Sequence, residues 1–331
     1  MSSSVNDKTI LLSRDFPGDA LAMLREAGFK VKTWSEERPM KPDELIAAAK
    51  KCNALLCSST DKIDANFLNE CSHLEIISQF AVGYDNVDIP LASKLGIPVC
   101  NAPGAMSDAT ADIAFGLMIA VSRKMFYMHK TIEKGEWTYF RPKANLGMEL
   151  KGKTLGIFGL GRIGIEMAQR CKGAYNMDII YHNRKANPEA DNLGAELVSF
   201  DELLERSDVL SVHSLLNATT KHIFNKDAFS KMKPWSIFIN TARGGLHDEK
   251  DLLEALQKKV IWGAGLDVTN PEPMQKDNPL LNMENVCILP HVGSATIEAR
   301  TEMARLAADN IIQFYKNNET PRLVNPEALK K

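Results

Sequence analysis

Two consecutive doubly wound α/β domains, each a parallel sheet covered by helices, are what this 331-residue sequence predicts. Three observations predict them. Short β-branched runs alternate with helical patterns from Thr9 onward, the alternation starts afresh at Thr154, and a chain of this length exceeds what one ordinary hydrophobic core fills.

In the first series the runs Thr9 to Ser13, Lys30 to Trp34, Ala54 to Ser58, Leu74 to Gln79 and Ile97 to Cys100 read as strands. Between them, Gly18 to Ala27 and Lys41 to Lys50 carry apolar residues at helical spacing behind a Pro or an acidic residue, a flavodoxin-like pattern. Asp108 to Arg123 reads as an Ala-rich helix, too short and too polar at Asp112 to span a membrane, and is expected as a buried interdomain helix. The second series runs through Thr154 to Phe158, Asp178 to Tyr181, Val209 to His213, Ile237 to Asn240 and Gly263 to Asp267, ending near Val286 to Leu289. Ala295 to Tyr315 is one long amphipathic helix whose pattern does not say which domain it joins.

Composition narrows the function. Apolar residues make up 44% and charged residues 25%, as in soluble globular proteins, and a formal net charge of -2 provides no field for a polyanion. Nucleic acid and membrane partners are therefore not expected. Met1 to Lys8 is Ser-rich and polar, with no apolar run long enough for a signal peptide, so a cytoplasmic location is expected. The six cysteines (52, 57, 71, 100, 171 and 287) lie scattered in apolar segments without a C-x-x-C pair; they read as reduced and buried, and no metal site is expected.

The strongest motif is Gly159-Leu160-Gly161-Arg162-Ile163-Gly164, a G-x-G-x-x-G run that follows a strand pattern and opens a helical one, with Ile163, Met167, Ala168 and Cys171 on one face. In that setting Gly159 permits the tight turn, Gly161 lets a pyrophosphate approach the backbone, and Gly164 lets helix and strand pack, which makes this half a Rossmann-like dinucleotide-binding domain. The phosphates belong at the positive end of the helix. Selectivity for the ribose is read at the end of the next strand, where a carboxylate would accept from a free 2'-hydroxyl. The chain instead runs His182-Asn183-Arg184-Lys185, and Asp178 opens that strand rather than closing it. Two cations suit a 2'-phosphate, so NADPH is favoured over NADH; solvated loop charges are the alternative reading.

Three later segments place polar residues just past predicted strands: Asn240-Thr241-Ala242-Arg243-Gly244-Gly245, Leu266-Asp267-Val268-Thr269-Asn270-Pro271-Glu272-Pro273, and Leu289-Pro290-His291-Val292-Gly293-Ser294. Ligands of open α/β sheets gather at such carboxyl ends. With the glycine motif and the turn Ala81-Val82-Gly83-Tyr84-Asp85, these segments resemble the D-2-hydroxyacid dehydrogenase family over nearly the whole chain. Within it, Leu266-Asp267-Val268-Thr269 and Ile288-Leu289-Pro290-His291 are most similar to glyoxylate/hydroxypyruvate reductases.

Reduction of a 2-keto acid needs a hydride at the carbonyl carbon, a proton at its oxygen and a fixed carboxylate. His291 suits the proton donor, because imidazole titrates near neutrality. Glu272, bonded to the far ring nitrogen, would keep that imidazole charged and oriented. Arg243 suits the substrate carboxylate as a permanent planar cation. The resemblance implies that the Val82 and Gly83 amides hold the other carboxylate oxygen. It implies further cofactor contacts at Thr110, Arg162, Ile163, Ser214, Leu215, Thr241, Asp267 and Gly293, beside those of Gly159, Gly161, Gly164, Asn183, Arg184 and Lys185. It also implies a substrate domain of residues 1–104 and 296–331 around an NAD(P)-binding domain of residues 105–295, and a homodimer. Where relatives acting on phosphorylated acids carry an Arg-containing loop this chain reads Cys57-Ser58-Ser59-Thr60, which disfavours a phosphorylated substrate. Where mammalian relatives put a partner's Trp into the pocket, the counterpart here is Phe140, three residues after Trp137. His73, His129, His213, His222 and His247 receive no role. Two rivals stay open: a reductase of other 2-keto acids, and a dinucleotide-sensing scaffold like the corepressors that share this fold.

Overall fold

Leu- and Ile-rich runs in the first hundred residues form five strands: β1 (Thr9–Leu12), β2 (Lys30–Thr33), β3 (Ala54–Ser58), β4 (Ile76–Phe80) and β5 (Val99–Cys100). They pair in parallel in the order β2-β1-β3-β4-β5, the flavodoxin-like order. β3 and β4 read as near-continuous apolar runs because both of their faces are covered. In the computed structural model residues 5–330 are described; residues 1–4, which open the polar N-terminal stretch, and residue 331 lie outside them.

The second series forms β6 (Thr154–Phe158), β7 (Asp178–His182), β8 (Glu196–Leu197), β9 (Val209–Val212), β10 (Ile237–Asn240), β11 (Gly263–Leu266) and β12 (Val286–Ile288). All are parallel, in the order β12-β11-β10-β9-β6-β7-β8. Read from β8, this is the Rossmann order with one strand added beyond β11. β8 escapes a pattern reading because it is two exposed residues at the sheet edge, held only by register with Ile180 and Tyr181. Likewise β4 starts two residues later than its apolar run, because the Leu74 amide is taken by the Cys71 carbonyl of the preceding turn.

Two compact units result. One holds the described residues up to Met106 and from Ala295 onward, the other Ser107–Ser294. The helix Ile297–Asn317 therefore joins the first sheet: Ala304, Ala307, Ala308 and Ile311 are buried with Ile10, Leu12, Leu56 and Ile76. Its Asn310 reaches Ser78 Oγ of β4 at 3.1 Å. The helix Ser107–Ser122, expected between domains, is instead core of the second unit. Ala111, Ala114, Leu117, Met118 and Val121 seat it on the sheet, each large apolar side chain contributing roughly 1.5–3 kcal/mol by burial. β11 reads Gly-Ala-Gly for this reason, since a Cβ on Gly265 would stand 2.9 Å from Leu117 Cβ and one on Gly263 2.7 Å from Val121 Cγ1. All six cysteines are free and buried. Among the described residues no helix is long and apolar enough to cross a membrane.

Candidate active site

The glycine turn sits between β6 and the helix Arg162–Tyr175, beside the point where the strand order reverses. Gly159 has φ 97°, and a Cβ there would lie 2.8 Å from the Ser214 amide nitrogen, so the turn and the end of β9 meet backbone to backbone. A Cβ on Gly164 would lie 2.7 Å from the Gly159 carbonyl oxygen, which is close helix-to-strand packing. Gly161 differs: nothing stands within 4 Å of its would-be Cβ. The turn is thus rigid at both ends and open in the middle, at a helix N-terminus where exposed Arg162 and half-buried Ile163 follow.

Asn183 holds this turn. It accepts from the Leu160 N–H at 2.7 Å and donates to the Leu160 carbonyl at 3.2 Å, and Asn187 donates to the same carbonyl at 2.8 Å. Asn183, expected as a cofactor contact, is therefore engaged with the turn itself, and Asn187 escaped the sequence reading altogether. Arg184 and Lys185 follow β7 and are exposed, with no ion pair recorded for either among the described residues. Leu215, past β9, is exposed as well.

Two buried polar atoms at neighbouring strand ends lack a protein partner. Thr241 Oγ1 stands just past β10, and His213 Nδ1 just past β9, its Nε2 being 2.8 Å from Ser211 Oγ. Burial pushes the His213 imidazole down to about 4. Such orphans at the carboxyl edge of a doubly wound sheet, with an open glycine turn one strand over, fit a dinucleotide.

Arg243 follows β10 on a turn closed by Asn240, which is wholly buried. Asn240 Oδ1 accepts from the Ala242 N–H at 3.0 Å, and its Nδ2 donates to the Arg243 carbonyl at 2.9 Å and to His247 Nδ1 at 3.0 Å. Burial lowers the His247 imidazole to about 4, so it serves as a neutral acceptor. Neither Asn240 nor His247 drew a role from the sequence, although an Asn at a strand end is a turn-closing signal. The next residue, Gly244, lies so near the following loop that a Cβ would stand 1.9 Å from the Thr269 carbonyl oxygen. That loop carries Glu272, with Thr269 N–H directed at its Oε2 at 3.4 Å.

Glu272 Oε1 lies 2.5 Å from His291 Nδ1. Burial raises the Glu272 carboxyl, but the hydrogen bond and charge of His291, the Thr269 amide and the charge of Arg243 outweigh it and hold the group below its usual value. An ionised Glu272 assigns the shared proton to Nδ1, leaving Nε2 as the nitrogen available for exchange. The two side chains remain 39% and 40% exposed, so ligands can reach the pair.

The His291 backbone has φ 54°, a conformation that non-glycine residues rarely adopt. Asp267 accounts for it: its Oδ1 accepts from the Val292 N–H at 2.8 Å and its Oδ2 from the Gly293 N–H at 2.7 Å. Burial pushes the Asp267 carboxyl up against the lowering effect of those amides. Thr110, in the first turn of the Ser107–Ser122 helix, donates to the Gly293 carbonyl at 3.1 Å. Thr110, Asp267, Gly293, His291, Glu272 and Arg243 thus form one connected set. Phe140 stands outside it, 84% exposed, and Val82 and Gly83 belong to the first unit, in the turn after β4.

Comparison with known proteins follows the same lines. The sequence pattern of the D-isomer specific 2-hydroxyacid dehydrogenase NAD binding domain matches residues 115–293. The glyoxylate reductase of Thermococcus litoralis is 42% identical over 325 residues, 97% of each chain. Among solved structures, a glyoxylate reductase from Paecilomyes thermophila superposes with TM-score 0.87 and 35% identity, over 97% of this chain and 98% of that one. An NADPH-dependent glyoxylate/hydroxypyruvate reductase from Sinorhizobium meliloti, in complex with NADP and malonate, does so with TM-score 0.83 and 31% identity over 97% of each.

Proposed function

This chain belongs to the D-isomer specific 2-hydroxyacid dehydrogenase family, and from that premise we propose that it reduces glyoxylate to glycolate and hydroxypyruvate to D-glycerate with NADPH. The observation that carries this reading is the His291–Glu272 contact at 2.5 Å with the Arg243 loop packed against it.

The nicotinamide, when bound, supplies the hydride to the carbonyl carbon. His291, kept charged by Glu272, gives its Nε2 proton to the oxygen as negative charge develops there. Arg243 binds the carboxylate and polarises the carbonyl. Asp267 and Thr110 act through the backbone of the His291 loop. In this proposal the second unit binds the cofactor, with the glycine turn at the pyrophosphate and Thr241 toward the nicotinamide, and in the first unit the Val82 and Gly83 amides are offered to a substrate carboxylate.

The preference for NADPH is supported by two exposed cations, Arg184 and Lys185, at the end of β7 and by the lack of an acidic side chain there. A homodimer is supported by the arm past Ser122, whose Met125, Ile132, Trp137, Tyr139, Phe140 and Leu146 are all exposed. A second copy would cover that surface, with Phe140 as the residue offered to the partner's pocket.

Spectrophotometric oxidation of NADPH against glyoxylate, hydroxypyruvate and pyruvate tests the reading, with NADH in parallel. Turnover of the first two is expected; no turnover with any 2-keto acid overturns it. Arg184→Asp should move the NADPH to NADH preference by about tenfold, the size of one phosphate contact.

A further inference from the structure

The turn after β4 shows how its amides are aimed. The Ala81 carbonyl accepts from the Ala102 N–H at 2.9 Å, the Val82 carbonyl from Asn101 Nδ2 at 2.8 Å, and the Gly83 carbonyl from Gln79 Nε2 at 3.3 Å. In a trans peptide the N–H points opposite to the carbonyl of the same plane. Holding these three carbonyls therefore turns the N–H groups of Val82, Gly83 and Tyr84 away from the interior groups that hold them. None of the three has an acceptor among the described residues, although Gly83 is buried and a buried amide requires a partner.

We propose that Asn101 and Gln79 are positioning residues that preset these amides for an anion, the carboxylate of the keto acid, an assignment of ligand that rests on the function proposed above. Both residues are themselves pinned. The Asn101 backbone N–H donates to the Arg322 carbonyl at 3.1 Å, and its backbone carbonyl accepts from Asn310 Nδ2 at 2.9 Å, so the C-terminal segment anchors the main chain from which its side chain reaches Val82. Gln79 is wholly buried, its Oε1 accepting from Cys57 Sγ at 2.9 Å and its Nε2 also donating to Asn86 Oδ1. Neutral side-chain amides suit the task. They fix peptide planes without placing a second cation that would hold the product carboxylate, and successive free N–H groups make an anion-binding concavity on their own.

Asn101→Asp tests this, because a carboxylate cannot donate to the Val82 carbonyl; Gln79→Met is the second variant, close in shape and without a donor. In the full-length enzyme, KM for glyoxylate should rise about tenfold in either variant while the Kd for NADPH changes less than about twofold, the loss of one oriented hydrogen bond. Selective 15N-glycine labelling supplies a readout independent of turnover: the Gly83 amide resonance should shift on titration with oxamate in the parent protein and lose that response in Asn101→Asp. Unchanged KM together with an unchanged Gly83 response in both variants overturns the positioning role. A Gly83 response to oxamate in a protein that turns over no 2-keto acid would overturn the proposed function and leave the anion site standing.

Discussion

Both sheets reverse strand order once, and the two reversal points are built for opposite purposes. In the first sheet the reversal lies between β1 and β3, and polar side chains fill it. Arg14 Nη2 lies 3.0 Å from Asp61 Oδ1, whose side chain is 1% exposed, while Asp61 Oδ2 accepts from Ser13 Oγ and from the Ser58 N–H. In the second sheet the reversal lies between β6 and β9, and glycines leave it open at Gly161. Doubly wound sheets offer a ligand crevice at each such point; here the first carries an ion pair with its donors, and the second has no atom within 4 Å of a Cβ built on Gly161. The lesson is that topology offers a site, and the first residues past two strands decide whether it is used.

The largest effect expected on this contrast comes from the loops of the open edge. His291→Ala should lower kcat by about 100- to 10,000-fold with NADPH affinity unchanged, as befits a proton donor; wild-type turnover in that variant would remove His291 from the chemistry. In the filled crevice, Asp61→Ala should cost about 2–3 kcal/mol in urea unfolding, because it strands Arg14 and two donors, with dinucleotide affinity untouched. If cofactor binding fell with stability, the two reversal points would not be independent. Gly161→Val should do the converse, weakening NADPH binding tenfold or more (about 1.4 kcal/mol) while Tm holds, since its side chain enters open space. A drop in Tm with affinity intact would show the space to be packing rather than site.

The smallest effect is a slope with pH. His247 is neutral in the fold because burial lowers it to about 4, whereas the unfolded chain takes up that proton near its ordinary value of 6.5. Its contribution to stability is complete above about pH 6.5 and is lost as pH falls toward 4, with a slope of up to about 1.4 kcal/mol per pH unit. Urea titrations across that window should show the slope diminished in His247→Leu; an undiminished slope would mean that His247 is not a neutral acceptor for Asn240.

Local pattern disclosed much of this chain. Runs such as Ile10-Leu11-Leu12 and Ala54-Leu55-Leu56, short and bounded by turn residues, read as strands covered on both sides, and a glycine run between a strand and a helical stripe has few other uses. Arg243, Glu272 and His291 were legible as a candidate set because each follows a strand end, where side chains from distant segments gather, and because the three segments together resemble those of the family. Legibility failed where a residue's task is set by one far along the chain. Nothing near His291 announces a backbone at φ 54°; Asp267, twenty-four residues earlier, imposes it through two amides. Asn240 and His247 looked idle until their shared hydrogen bond placed them under the Arg243 turn.

Secondary structure, strand direction and which polar side chains stand just past the strand ends follow from short-range periodicity and turn chemistry, which any stretch of the chain carries within itself. The aim of those side chains and of the amides after β4 came only with the folded units. A hydrogen bond from Asn310 to Asn101, or from Asp267 to Gly293, exists only once elements remote in sequence have packed and excluded the water that would otherwise satisfy them.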